Sequence, residues 1–300
     1  MMAAVGSPPA AIGKPMYPAI PGFGSSVRGA LAMALVTFAA VAPAQEIQAM
    51  NESPTASTRV SETALVELRQ YTLHPYKRDV LIDLFEHEFV ESQEALGIRL
   101  IGTFRDMANA DRFVWLRGFK DMPNRADALQ AFYSGPVWQA HRNAANATMI
   151  DSDNVLLLRS ARSGSGFRID SRALAPRDAT RIPAGLVEVR TYYFDTEPGA
   201  DELRWIDALQ PARDAVGASL LAVMQSESSP NNFARLPVRE NEPALVVFSQ
   251  FRDLHSHARY LDALAASPQW RRAEGALLRT APRAPDILEL EPTARSRLPR

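Results

Sequence analysis

Along residues 65–73, Val66 and Leu68 alternate with Glu67, Arg69 and Tyr71, the period-two pattern of a strand whose three polar side chains share one face. His74-Pro75 ends it. From Tyr76 to Leu96 the apolar residues Val80, Leu81, Leu84, Phe85 and Phe89 recur at helical spacing, and Gly97 is placed to stop that helix. Strands over 98–104 and 112–119, separated by a short turn near 109–111, form a hairpin. Residues 125–147 predict a second helix bent at Pro136, and 154–159 a closing strand.

The same series then repeats. It runs as a strand over 186–194, a helix over 199–216 with a kink at Pro211, strands over 218–225 and 244–251, a helix over 255–278 and a strand over 286–290. Leu65-Val66-Glu67-Leu68-Arg69-Gln70-Tyr71 returns as Leu186-Val187-Glu188-Val189-Arg190-Thr191-Tyr192. Phe119-Lys120-Asp121-Met122 followed by Pro136-Val137-Trp138 returns, at the same internal spacing, as Phe251-Arg252-Asp253-Leu254 followed by Pro268-Gln269-Trp270. The chain is a tandem duplication. Strand-helix-strand-strand-helix-strand is the order of a ferredoxin-like unit, whose sheet carries helices on one face and needs cover on the other. Two units in one chain meet that need by packing sheet to sheet about an approximate two-fold axis, as a barrel or a sandwich. The expected domains are 65–160 and 186–291, with a flexible spacer over 45–64, a linker rich in Gly, Ser and Pro over 161–185, and a tail over 292–300.

Composition narrows the function classes. A hydrophobic share of 46%, a charged share of 22% and a net charge of −1 describe an ordinary globular chain without the basic field that recruits nucleic acid. With 0 cysteines there are no disulfides, thiolate chemistry or cysteine metal sites. Near the start, Arg28 precedes an uncharged apolar run over 30–41, and Ala42-Pro43-Ala44 supplies a small-x-small cleavage site before Gln45. Residues 1–44 therefore read as a signal peptide, and the mature protein as exported, periplasmic or secreted. The rival reading is a transit peptide or leader. The run falls short of the roughly 20 residues that span a bilayer, so no stable membrane span is expected. No phosphate-binding glycine motif occurs, and no cofactor is implied.

Val-Glu-Leu-Arg-x-Tyr-Thr-Leu at a strand start, a Pro-containing turn into an amphipathic helix, Phe-x-Asp after the third strand, and Ser-Gly-Pro-Val-Trp or Ser-Pro-Gln-Trp in the second helix together resemble the NIPSNAP family of the dimeric α/β-barrel superfamily. The resemblance covers about 65–160 and 186–291, more strongly in the first half. It implies an α+β fold: tandem ferredoxin-like βαββαβ units packed sheet to sheet as a pseudo-dimeric α/β barrel. It carries over no catalytic residues. The turn Pro198-Gly199 keeps the family's Pro-Gly, whereas the first half has Pro75-Tyr76.

Candidate chemistry lies on the repeated strand. If the face bearing Glu67, Arg69 and Tyr71, or Glu188, Arg190 and Tyr192, lies between the sheets, each buried charge needs a partner. One reading has Glu–Arg pairs crossing the pseudo-two-fold to fix the sheets' register. The other is a polar lumen in which Arg69 or Arg190 grips a carboxylate or carbonyl, with Tyr71 or Tyr192 as proton donor. Trp138 and Trp270 occupy matching positions and could wall a pocket with Phe104 and Trp115, or be plain core. His141 lies three residues after Trp138 and shares its helix face. Metal spacing is incomplete at His87 with Glu91 and at His255-Ser256-His257, so no metal site is assigned.

The ligand-binding candidates are thus Arg69, Tyr71, Trp115, Trp138 and His141. The second half has Val247, Ala273 and Ala265 where the first has Trp115, His141 and Tyr133, which places any ligand in the first half. Three functions stay open: binding of a small, partly apolar molecule or a protein partner; a cofactor-independent oxygenase or isomerase of the same superfamily; and a structural module that assembles, including as a homo-oligomer.

Overall fold

The computed structural model describes residues 61–169 and 174–299, and the expected export signal lies outside them. The elements follow the sequence pattern closely. The first half comprises β1 (Ser61–Glu62), β2 (Leu65–Leu73), α1 (Arg78–Leu84), a π-helical turn over Phe85–Phe89, α2 (Val90–Glu94), β3 (Arg99–Asp106), β4 (Arg112–Phe119), α3 (Met122–Ser134), α4 (Pro136–Asn146) and β5 (Met149–Ser160). After β6 (Arg168–Ile169) come β7 (Leu186–Tyr193), α5 (Ala200–Asp207), α6 (Gln210–Asp214), β8 (Ser219–Ser226), β9 (Ala244–Phe251), α7 (Leu254–Ala266), α8 (Pro268–Thr280) and β10 (Asp286–Pro292). Each expected long helix is divided. Pro136 and Pro268 begin new helices at the N1 position because a prolyl residue donates no hydrogen bond to the preceding turn.

Eight strands close into one antiparallel barrel in the order β10-β3-β4-β2-β5-β8-β9-β7, with β7 pairing back to β10. The halves are stitched together where β5 pairs with β8 and β10 with β3. The alternating apolar positions point into the lumen: Val66, Leu68, Val114, Leu116, Val187 and Val189 belong to one buried cluster. This corrects the expected placement of the polar triad. Glu67, Arg69 and Tyr71 lie on the outer wall, roofed by α1–α4, because the helices bury the outer face of β2 as the barrel buries its inner face, and the lumen takes the purely apolar one.

Segments that flank the two halves complete this core. The ladder between β1 and β6 lies in the expected spacer and linker, and Phe167, Ile169 and Leu298 join the lumen cluster. Residues 293–298 are pinned to the first half's helices. Thr293 Oγ1 donates to Glu86 Oε1 at 2.5 Å, Arg295 reaches Glu91, and Arg297 Nη1 donates to Glu94 Oε1 at 2.6 Å. Glu86 is buried within the π-helical turn, where the wider winding points its carboxylate at the tail.

Leu298 is 1% exposed. Leu298→Ala is expected to lower the unfolding free energy by about 2–5 kcal/mol, the range for emptying a buried leucine site. Denaturant titration checks this; a change under about 0.5 kcal/mol, the range of a surface substitution, would mean that the tail is no part of the core.

Candidate functional site: a buried arginine cluster

Strand register brings the first charges together. In the β2–β4 ladder Glu67 stands opposite Arg117, Arg69 opposite Trp115 and Tyr71 opposite Phe113. Glu67 Oε2 accepts from Arg69 Nη1 and Arg117 Nε, both at 2.7 Å. The third guanidinium comes from α3, whose N-cap Asp121 accepts from the Asn124 backbone N–H at 2.8 Å. One turn past that cap, Arg125 Nε donates to Glu67 Oε1 at 2.7 Å. All four side chains are fully buried. Burial alone would raise the Glu67 carboxyl pKa, but Arg117, Arg69 and Arg125 overcome it and hold the group far below the usual carboxylate range.

The remaining donors are only partly answered. Arg69 Nε donates to Tyr71 Oη at 2.9 Å, and Arg117 Nη1 to Gln93 Oε1 at 3.0 Å. Burial pushes the Tyr71 phenol up against the pull of Arg69. Arg69 Nη2, Arg117 Nη2, Arg125 Nη2 and Trp115 Nε1 are buried without an acceptor. Three guanidinium groups against one carboxylate leave an excess of two positive charges.

Aromatic rings enclose this cluster. The guanidinium carbons of Arg69 and Arg117 sit 5.6 and 5.0 Å from the Trp115 ring centroid, and Tyr71 meets Trp115 edge-on at 5.8 Å. Phe85 packs on Trp115 at 4.7 Å; Tyr133 lies 4.8 Å from Trp138, which lies 5.5 Å from Phe89.

A loop from the second half closes the outer side. Residues 227–243 join β8 to β9, where the equivalent turn in the first half occupies only 107–111. Arg125 Nη1 donates to Asn231 Oδ1 at 3.1 Å and Asn232 Oδ1 at 2.8 Å, and Phe233 stacks on Tyr133 at 5.9 Å and 26°. Asn232 Nδ2 donates to the Met122 carbonyl at 2.6 Å, and the Arg239 N–H to the Val155 carbonyl at 2.8 Å. Connections of this length without regular structure are uncommon and are typically lids or binding loops.

The second half solves the same geometry differently. Gly97 and Gly217, both at positive φ, end their helices with the same closing bonds, Ile98 N–H to the Gln93 carbonyl and Ala218 N–H to the Arg213 carbonyl. Arg213 is therefore the counterpart of Gln93. Asp253 caps α7 as Asp121 caps α3, which makes His257 the counterpart of Arg125. Ser249 stands opposite Glu188 where Arg117 stands opposite Glu67. Glu188 accepts from both Arg190 Nε at 2.6 Å and Arg190 Nη2 at 3.0 Å, and contacts His257 Nε2 at 2.8 Å. Both Glu–Arg pairs stay within their own half, so neither crosses between the halves as one reading expected.

Of the sequence candidates, the structure brings Arg69, Tyr71 and Trp115 into contact and adds Trp138 through the aromatic chain. His141 stands at the rim, its Nε2 3.5 Å from Glu88 Oε2 and its ring 6.4 Å from Phe89. Phe104 faces the lumen, across the barrel wall from Trp115, and Trp270 belongs to the second half's own core. Sequence reasoning missed Arg117, Arg125 and Gln93. Hairpin counting from Glu67 would have found Arg117, and the position four after the shared Asp cap would have found Arg125. Of the metal-spaced residues, Glu91 is taken by Arg295 and His257 by Glu188.

Residues 66–163 match the NIPSNAP family model. No curated protein matches the sequence. Among solved structures, the chain is similar to an anthrone oxidase-like protein (12% identity, 77% of this chain and 92% of that one, TM-score 0.48). It is also similar to an uncharacterized NIPSNAP-like domain protein from Burkholderia xenovorans (24%, 38% and 97%, TM-score 0.33). A NIPSNAP family protein of unknown function from Agrobacterium tumefaciens is a further match (19%, 36% and 96%, TM-score 0.31).

Glu67→Gln leaves three buried guanidinium groups without a counter-charge and should cost about 3–5 kcal/mol at neutral pH. Arg69→Met should cost less, because Glu67 keeps two cationic partners. The Glu67 carboxyl is depressed in the folded state, so its contribution is complete above the ordinary carboxylate value of 4.5 and is lost as pH falls toward the folded value. The stability gap between wild type and Glu67→Gln should therefore narrow below about pH 4.5, measured by denaturation at stepped pH; a gap constant down to pH 2 would show that Glu67 is not the cluster's anion.

Proposed function

We propose that this is an exported protein of two tandem ferredoxin-like units whose first half binds a small, partly apolar molecule between the barrel wall and its helices, the second half serving as barrel partner and cover. The observation that supports binding is the group of four buried donors without acceptors, on Arg69, Arg117, Arg125 and Trp115, set in an aromatic enclosure. Donors left unanswered in a buried site cost free energy that a bound acceptor recovers. Few polar groups aimed into an otherwise apolar surround also describe how small-molecule sites orient their ligands. A module that only fills space has no use for the excess charge. The second half lacks counterparts of Trp115, Tyr133 and the long covering loop, in keeping with one ligand site per chain.

The export signal and the binding site are tested together on protein produced in its own host. N-terminal sequencing should begin at Gln45 or a near neighbour, and an intact leader on cytosolic protein would refute export. Native mass spectrometry of the same material should show a bound small molecule. His141→Ala, at the rim, is expected to weaken its binding while changing stability by no more than about 1 kcal/mol. Loss of stability without any change in bound mass would assign His141 to structure.

A further inference from the structure

We infer that the ligand of the first-half site is an aromatic carboxylate, and that it binds by displacing the loop residues Asn231–Phe233, which occupy the site in its absence. This rests on the binding site proposed above. The charge count argues for an anion: three fully buried guanidinium groups share one carboxylate, and a second carboxylate from outside would halve the excess. A bidentate anion matches the parallel N–H pairs of a guanidinium fork, and Arg125 is the fork that faces outward.

The loop supplies the shape of the ligand. Asn231 and Asn232 place two side-chain oxygens on Arg125 Nη1, and Phe233, 7% exposed, lays its ring against Tyr133. Two oxygens on an arginine and a phenyl ring on a tyrosine make an uncharged imitation of an aryl carboxylate. The imitation is incomplete, because neutral amides bring no negative charge and leave Arg125 Nη2 without an acceptor. A true carboxylate would answer both. Asn232 is exposed while Arg125 is buried, so the exchange begins at the surface and needs only the loop tip to lift.

The second half serves as an internal control. There Glu188 is answered by one guanidinium and one imidazole, Ser249 and His257 replace Arg117 and Arg125, and the corresponding turn at 107–111 is closed by its own bond from the Arg112 N–H to the Asn109 carbonyl. Arg213 remains there as a second buried guanidinium, bonded to Gln210 rather than to Glu188 and with Nη1 unanswered, so the contrast between the halves lies in the loop: the turn at 107–111 offers no imitation ligand.

Phenylacetate and its neutral isostere phenylacetamide, titrated against the full chain by calorimetry and Trp fluorescence, test the inference. Phenylacetate should bind at least about tenfold more tightly than the amide. The double variant Asn231→Ala, Asn232→Ala removes the competitor and should tighten phenylacetate further, whereas Arg125→Gln should erase the preference for the acid. Because Arg125→Gln lowers the excess charge, it is expected to fold, and its circular dichroism and melting curve verify that. Equal affinity for acid and amide would overturn the carboxylate assignment while leaving an apolar binding site standing. Weaker phenylacetate binding by the double variant would overturn loop displacement, and binding of neither probe to any variant would overturn both this inference and the site itself.

Discussion

One carboxylate organises the first half of this protein. Glu67 sits on the outer wall of a closed barrel and ties together β2, β4 and α3 through Arg69, Arg117 and Arg125, each held at 2.7 Å. An ion buried this completely survives only when its partners stand in fixed geometry, so the cluster specifies the strand register and the seat of the helix at once. A slip of one residue in β2 would turn Glu67 into the apolar lumen and leave three cations without an anion. The same arrangement overshoots neutrality. The surplus cations orient the long loop of the other half, whose amide oxygens are the acceptors available to Arg125 on its outer side.

The two halves show how such a cluster can be retuned without disturbing the fold. Exchanging Arg117 with Gln93 for Ser249 with Arg213 moves a guanidinium from strand to helix, and Arg125 to His257 replaces a guanidinium by an imidazole. Arg213 leaves the Glu188 carboxylate to Arg190 and His257 and bonds Gln210 instead. Around this altered centre the rings thin out: Val247 takes the place of Trp115 and Ala265 that of Tyr133. Burial pushes the Tyr260 phenol up to about 12, so it remains a neutral packing group beside these charges.

The repeat, the order of elements and the alternation along β2 and β7 were legible because each is local. What lay beyond reach was which face of the strand looks inward. In a single open sheet, the apolar face is buried and the polar face is wet; in a barrel roofed by helices both are dry, so a pattern of Val and Leu against Glu, Arg and Tyr marks two faces without naming the lumen. Arg125 reaches Glu67, and the loop at 227–243 reaches Arg125, from distant parts of the chain, and residues 292–300 read as a tail although Thr293 and Leu298 are buried. Their partners, Glu86 and the barrel lumen, come from the other end of the fold. The π-helical turn that directs Glu86 has no signature in a helix whose apolar spacing is otherwise regular.

Two halves within one chain need not be alike. When a barrel forms from two identical copies, any loop long enough to cover one helix layer is present twice, and every charge placed on one wall is placed on the other. Within this one chain the second half carries a β8–β9 connection over 227–243, where the first half has only 107–111, and the first half carries the arginines beneath it. The loop and its target then belong to different halves, linked through β5, where the Arg239 N–H meets the Val155 carbonyl and Arg239 Nη1 meets Asn154 Oδ1 at 3.1 Å. Lifting the tip frees Arg125 without breaking these anchors, since they lie at the far end of the loop. The loop is thus fixed in register on β5 at one end while its tip rests on Arg125, a combination that a symmetric dimer reaches only by building both features into every wall.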